Sequence, residues 1–265
     1  MVDFERKERY NINDLVEIMR LLRAPGGCPW DAEQTHESIK KNLIEETYEV
    51  VEAINKQDNE LLCEELGDLL MQVVFHACME TEKGVFAFDD VCNGVCQKLV
   101  ERHPHVFGET KISGVEDVLT NWDDIKRKSK GQKTTTQSML SVPRELPALM
   151  RATKLQKKAA DVGFDWNDVS GALDKLQEEI DELRQAVENK DDENMNEELG
   201  DVLFSAVNVS RFIKSDAEEA LTAASDKFLA RFTTVEKLAD ERGIDMKSST
   251  IEELDKLWDE AKITD

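Results

Sequence analysis

The chain has 265 residues, of which 57 are Asp or Glu and 34 are Lys or Arg, giving a formal net charge of −23. Such an excess excludes a surface built to coat nucleic acid, whose phosphates are met by Lys and Arg; a small polyanion that arrives with a divalent cation is still compatible. At roughly 150 residues per domain the length points to about two domains, and 40% hydrophobic residues can fill their cores.

The chain opens Met1-Val2-Asp3-Phe4-Glu5-Arg6-Lys7, too charged for a secretory signal. No run of about 18 apolar residues follows anywhere, so no membrane span is expected. Cys28, Cys63, Cys78, Cys92 and Cys96 are odd in number and confined to the first half. They read as reduced thiols of a cytoplasmic protein rather than a disulfide framework, and Cys92 and Cys96, spaced i,i+4, as buried small hydrophobes rather than a zinc site. Prolines occur only at positions 25, 29, 104, 143 and 147. The stretches 30–103 and 148–265 are therefore free to be helical.

Within the first stretch, Glu45-Glu46-Thr47-Tyr48-Glu49 precedes Glu64-Glu65-Leu66-Gly67-Asp68. Partner positions on two antiparallel helices lie at equal distances from the turn. Glu49 with Glu65 and Glu46 with Asp68 both centre on Gln57, inside the polar run Asn55–Asn59. Lys98 and Arg102 then form a basic pair at i,i+4. The polar, non-periodic run from Lys128 to Ser138 reads as an exposed connection. The expected organisation is a first domain over 1–128, a linker over 129–145 and a second domain over 146–265.

The second domain repeats the first. Glu178-Glu179-Ile180-Asp181-Glu182 and Glu197-Glu198-Leu199-Gly200-Asp201 stand 133 residues after their counterparts, without a gap. Glu182 with Glu198 and Glu179 with Asp201 both centre on Lys190. Asp165-Trp166 echoes Trp30-Asp31, and Lys227 with Arg231 echoes Lys98 with Arg102. Leu173, Leu176, Ile180, Leu183 and Val187 step by three and four, an apolar helical stripe. Lys175, Glu178, Glu179 and Glu182 lie on the stripe beside it, near the packed interface. The expected fold is all-α: two tandem, duplicated helical bundles. Gly67 and Gly200 cost about 1 kcal/mol against Ala in a helix interior, and close helix approach is the expected reason for them.

Carboxylates that converge in this way repel unless neutralised. Hard divalent cations, which prefer oxygen ligands, answer that need, so a Mg²⁺ cage with a phosphate-bearing ligand is expected. Taken singly, an EExxE run reads as a solvated acidic face; duplication and matched turn centres favour a site. Each second helix carries Glu-x-x-Asp where a di-iron bundle uses Glu-x-x-His, which favours Mg²⁺ or Mn²⁺ over redox iron. The spacing of the Lys–Arg pairs suits phosphate contacts and surface charge balance equally. Trp30, Trp122, Trp166 and Trp258 read first as core, and His76 as a core histidine. No P-loop or HExxH occurs.

The paired EExxE and ExxD motifs, together with Gly27-Cys28-Pro29-Trp30-Asp31, Arg102-His103-Pro104-His105-Val106-Phe107, Leu146-Pro147-Ala148-Leu149-Met150-Arg151-Ala152 and Val162-Gly163-Phe164-Asp165-Trp166, span nearly the whole chain. In these the chain resembles the MazG family of all-α nucleoside triphosphate pyrophosphohydrolases. The motif pair alone is shared with dimeric dUTPases and phosphoribosyl-ATP pyrophosphohydrolases. The resemblance implies Mg²⁺-dependent conversion of a nucleoside triphosphate to the monophosphate and pyrophosphate, in a homodimer. It implies that Glu179, Glu182, Glu198 and Asp201 hold the metal and that Glu178 positions or deprotonates the attacking water. It further implies that Lys175, Lys227 and Arg231 bind phosphates and that Trp258 sits against the nucleotide. Glu45, Glu46, Glu49, Glu65, Asp68, Lys98 and Arg102 form the corresponding first-half site. There Asn42 replaces Lys175 and Tyr48 replaces Asp181, so the phosphate grip is expected to be weaker and most activity is expected in the second half. The competing readings are a non-catalytic adaptor whose acidic clefts bind cations or partner proteins, and the same fold acting on dUTP or phosphoribosyl-ATP.

Overall fold

The computed structural model describes residues 4–109 and 134–264, with the single positions 114, 118, 122, 125 and 131. Among the described residues every regular element is a helix. The chain divides into two compact units, Met1–Lys126 and Arg127–Asp265.

The first unit comprises α1 (Ile12–Arg23), α2 (Pro29–Glu33), α3 (Lys40–Lys56), α4 (Asn59–Glu82), α5 (Phe88–Arg102) and α6 (Pro104–Phe107). Asn11 opens α1 with a capping box completed by Asp14, and Asp58 caps α4 by accepting from the Glu60 and Leu61 N–H groups. The α3–α4 hairpin turns through Gln57, which takes φ 55°, ψ 32°. Met19 of α1 packs with Ile39 and with Val74, Phe75, Cys78 and Met79 of α4 to form the core. Arg23 ties α1 to Glu82 at the far end of α4 at 2.6 Å. Cys78 is buried in this core, whereas Cys92 is half-buried and Cys96 exposed rather than buried as expected, and all five thiols are free.

The second unit comprises α7 (Thr135–Leu140), α8 (Ala148–Ala160), α9 (Val169–Asn189), α10 (Asp192–Phe212), α11 (Ala217–Glu241) and α12 (Ile251–Thr264). The α9–α10 hairpin turns through Lys190 at φ 55°, ψ 41°, the counterpart of Gln57. In both hairpins the turn centre inferred from the carboxylates is the left-handed residue that ends the first helix. Part of the expected linker is structured: Thr134 and Gln137 cap α7, and Lys158 of α8 donates to Ser138 at 2.6 Å. Most of the rest of that polar run lies outside the described residues.

The packing stripe differs from the expected one. On α9 the buried residues are Ala172, Glu179 and Ala186, while Leu173 and Val187 stay about half exposed. Residues seven apart return to the same helix face, so small residues bring α10 close on both sides of Glu179. The larger apolar side chains are turned partly to the surface. Gly67 and Gly200 are exposed, and a Cβ added to either meets no other side chain or neighbouring helix within 4 Å. Close helix approach within a unit therefore does not explain them.

Candidate functional site

The α9–α10 hairpin places carboxylate oxygens of Glu179, Glu182 and Glu198 within 4.8 Å of one another. Glu179 is buried, Glu198 is half-buried and Glu182 is exposed. A hydrogen bond from the protonated Glu182 carboxyl to Glu179, then burial and the charge of Glu198, raise Glu182 above its ordinary value. Burial, followed by the charges of Glu179 and Asp201, does the same to Glu198. Clustered oxygens whose ionisation is resisted form the donor set of a hard divalent cation. The residues therefore fit Mg²⁺ or Mn²⁺. Asp201 lies outside the tight group of three and acts on Glu198 through its charge.

Lys175 reaches Glu178 at 2.8 Å and Glu179 at 2.7 Å, and its pKa is raised by both. Expected as a phosphate contact, it is engaged here as the counter-charge of a buried glutamate. Glu178 stands exposed at the rim. Lys227 is exposed and Arg231 half-buried, one turn apart on α11. Trp258 packs from α12 onto α11, beside the cluster of Val235, Ala239, Leu257 and Ala261, with its ring centroid 5.3 Å from that of Phe228.

A cavity of about 510 Å³ lies on the α8 side of α10, lined by Gln156, Phe164, Asp165, Trp166, Phe204 and Asn208. Arg211 closes its end by pairing with Asp165 and also donates to Asn208 at 2.8 Å. Asn208 is seven residues beyond Asp201, about 10 Å along the helix. Neither the cavity nor the Asp165–Arg211 pair is legible in sequence spacing, because both join segments more than 40 residues apart.

The first unit repeats the acidic cluster: oxygens of Glu46, Glu49 and Glu65 lie within 4.8 Å of one another. Burial, then a hydrogen bond from the protonated Glu46 carboxyl to Glu49 and the charge of Asp68, raise Glu46, and burial and the charge of Glu49 raise Glu65. Asn42 replaces the lysine, and the Gln72 amide donates to Glu46 at 3.4 Å. Glu45 lies outside the tight group. The residues matching Phe204, Asn208 and Arg211 are Met71, Phe75 and Cys78, which pack in the core under α1. Lys98 is exposed, and the guanidinium of Arg102 lies 5.4 Å from the Trp122 ring centre. His76, expected in the core, faces His36 instead, Nδ1 to Nδ1 at 2.7 Å.

Comparison with known proteins decides the family. The MazG nucleotide pyrophosphohydrolase domain matches twice, over residues 34–107 and 168–237. The chain belongs to this family. The nucleoside triphosphate pyrophosphohydrolase/pyrophosphatase MazG of Thermotoga maritima is 45% identical over 249 residues, covering 94% of each chain. The nucleoside triphosphate pyrophosphohydrolase of Escherichia coli K12 is 45% identical over 256 residues, covering 95% of this chain and 97% of that one. Both domain matches contain one of the two acidic clusters.

Proposed function

We propose that the second unit hydrolyses nucleoside triphosphates to the monophosphate and pyrophosphate, with Mg²⁺ or Mn²⁺ held by Glu179, Glu182, Glu198 and Asp201. The observation that carries this reading is the acidic cluster with a 510 Å³ cavity about two helical turns further along α10. That spacing suits a triphosphate at the carboxylates and its nucleoside in the cavity. The names of the relatives support the same substrate class. When bound, the cation screens the triphosphate and stabilises charge on the leaving pyrophosphate.

The chain's own residues supply the rest. Glu178, exposed at the rim, orients the attacking water. The water oxygen bonds to the α-phosphorus as the α–β bridging P–O bond breaks, and the bonding electrons leave with pyrophosphate. Where a cation took over the counter-charge of Glu179, Lys175 would be free to meet the phosphates with Lys227 and Arg231. Phe164, Trp166 and Asn208 receive the nucleoside. The first unit, without the lysine and with Phe75 in place of Asn208, contributes little turnover. The assembly is a homodimer, and its role is to clean or limit nucleotide pools in the cytoplasm. Among the described residues no helix is long and apolar enough to cross a membrane.

Product identification tests the reaction. The full chain is incubated with Mg²⁺ and each common nucleoside triphosphate, with and without EDTA, and the products are resolved by chromatography. Monophosphate with pyrophosphate, abolished by EDTA, is expected. Diphosphate with phosphate would move the scissile bond, and no turnover of any triphosphate would favour the adaptor reading.

A further inference from the structure

With a net charge of −23, the chain offers every arginine a choice of acidic partners. Arg23, Arg211 and Arg242 each pair with a carboxylate. Arg144 and Arg151 do not. Among the described residues neither side chain has an ion pair or a hydrogen bond. Both line the same cavity of about 430 Å³ in the second unit, bounded by α7, the turn after it and α8.

Arg151 stands half-buried at the fourth position of α8. This is the positive end of the helix, where a cation is disfavoured unless an anion is close. Its Nε is enclosed without a partner, whereas its two terminal guanidinium nitrogens are not enclosed. Those are the atoms open to a ligand. Arg144 is exposed on the turn before α8, and Thr136 adds an exposed hydroxyl from α7. The Ser141 hydroxyl is already committed to the Ser138 carbonyl at 2.7 Å. The charges just outside are engaged as well: Lys158 donates to Ser138 at 2.6 Å, and Glu218 accepts from the Met150 N–H at 3.3 Å. No carboxylate belongs to the described residues that line the cavity.

Two like charges on one cavity repel unless an anion lies between them. Guanidinium forks match phosphate oxygens two at a time. Two forks and a hydroxyl supply donors for more than the two oxygens of a carboxylate, and a phosphate monoester presents three. The rest of the wall is apolar, and Met139 and Leu155 line both this cavity and the 510 Å³ one. A molecule that carries the phosphate therefore has apolar surface to lie on.

We propose that the Arg144–Arg151 cavity binds the phosphate group of a small phosphate monoester, with both guanidiniums and Thr136 as donors and the carrier against Met139 and Leu155. The site shares no residue with the acidic cluster of Glu179, Glu182 and Glu198. It needs no divalent cation and takes no part in bond cleavage.

The test uses the full chain in EDTA, where the acidic clusters repel anions. Methyl NMR of Met139, Leu140, Val142 and Leu155, with the arginine Nε–H signals, reads the cavity as AMP, inorganic phosphate or acetate is added. AMP should shift these signals saturably and bind at least about tenfold more tightly than inorganic phosphate, through the apolar surface its carrier covers. Equal affinity would make the free anion the ligand and remove the carrier. Acetate should be at least about tenfold weaker than phosphate. Arg144→Gln and Arg151→Gln should each weaken AMP by at least about tenfold, the loss of one charge-assisted hydrogen bond. Arg151→Lys keeps the charge without the fork and should recover only part of that loss. Lys154→Gln removes an exposed charge of α8 outside the cavity and should stay within about twofold of wild type. If an arginine variant fails to fold, the wild-type ranking of AMP, phosphate and acetate decides alone. No response to AMP at millimolar concentration, an acetate response equal to that of phosphate, or an equal loss in Lys154→Gln would each overturn the proposal. Hydrolysis by the second unit is measured separately with Mg²⁺, so failure here leaves that reading standing.

Discussion

Glu46 and Glu179 occupy equivalent positions but have different company. Lys175 neutralises Glu179 at 2.7 Å, whereas Glu46 has a neutral amide at 3.4 Å. Glu179→Gln should lower kcat/KM by at least about 100-fold, since a metal contributes several kcal/mol of transition-state stabilisation. Glu46→Gln should stay within about threefold, because the core residues Met71, Phe75 and Cys78 stand where the second unit has its cavity. Steady-state kinetics on the two variants checks this, and the reverse order would place catalysis in the first unit. The carboxyls of Glu182 and Glu198 sit above their ordinary range in the fold. Such groups favour the fold below the unfolded carboxylate pKa and withdraw that contribution as pH rises through their folded values. Without cation at neutral pH they oppose folding. Glu182→Gln should therefore melt at a higher temperature than wild type in EDTA at pH 7.5. The gap should close toward about pH 4, and the rise on adding Mn²⁺ should shrink. A variant that melts lower than wild type in EDTA at pH 7.5 would show that the ionised Glu182 does not oppose the fold.

The hairpin is the element that makes the site, and its turn residue is its weakest conformational point. Gln57 and Lys190 adopt the left-handed conformation at φ 55°, which costs a residue with a Cβ roughly 1–2 kcal/mol and costs glycine almost nothing. Lys190→Gly should stabilise the fold by about 1 kcal/mol, and Lys190→Val should destabilise it by more; urea unfolding measures both. This element was the most legible part of the sequence. The carboxylates stand at fixed distances from the turn, so their numbering alone located Gln57 and Lys190 and paired Glu182 with Glu198. The buried stripe Ala172–Glu179–Ala186 was less legible, because hydrophobic periodicity weights large side chains and the close contact is made by small ones. The Lys175 clamp could have been read from its i,i+3 and i,i+4 spacing to Glu178 and Glu179. The cavity could not, since Gln156 reaches it from α8, Trp166 from the loop after α8, and Asn208 from α10. The His36–His76 pair joins positions 40 apart and leaves no periodic trace.

At the scale of the whole molecule, the same positions are left uncovered in both units. Leu66 and Leu70 on α4 are each 39% or more exposed, as are their counterparts Leu199 and Leu203 on α10, and Phe228 and Leu229 on α11 are more exposed still. On each of α4 and α10 the two leucines stand one turn apart, and apolar surface left exposed in this way costs free energy in water. We expect a second copy of the chain to cover these residues, and Gly67 and Gly200, exposed on the same helices, to face such a partner. That position would explain glycines that no contact within a unit requires. Opposing the pairing is the net charge of −23 on each chain, whose repulsion is screened within about 8 Å at physiological salt. Light scattering should therefore find a two-chain particle whose dissociation constant falls as salt is raised from about 0.01 to 0.15 M. Leu199→Glu with Leu203→Glu should shift it to single chains, and Gly200→Leu should weaken it without a large loss of helix content. A single-chain particle at all concentrations and salts would remove the homodimer and return the uncovered leucines to the surface of a monomer.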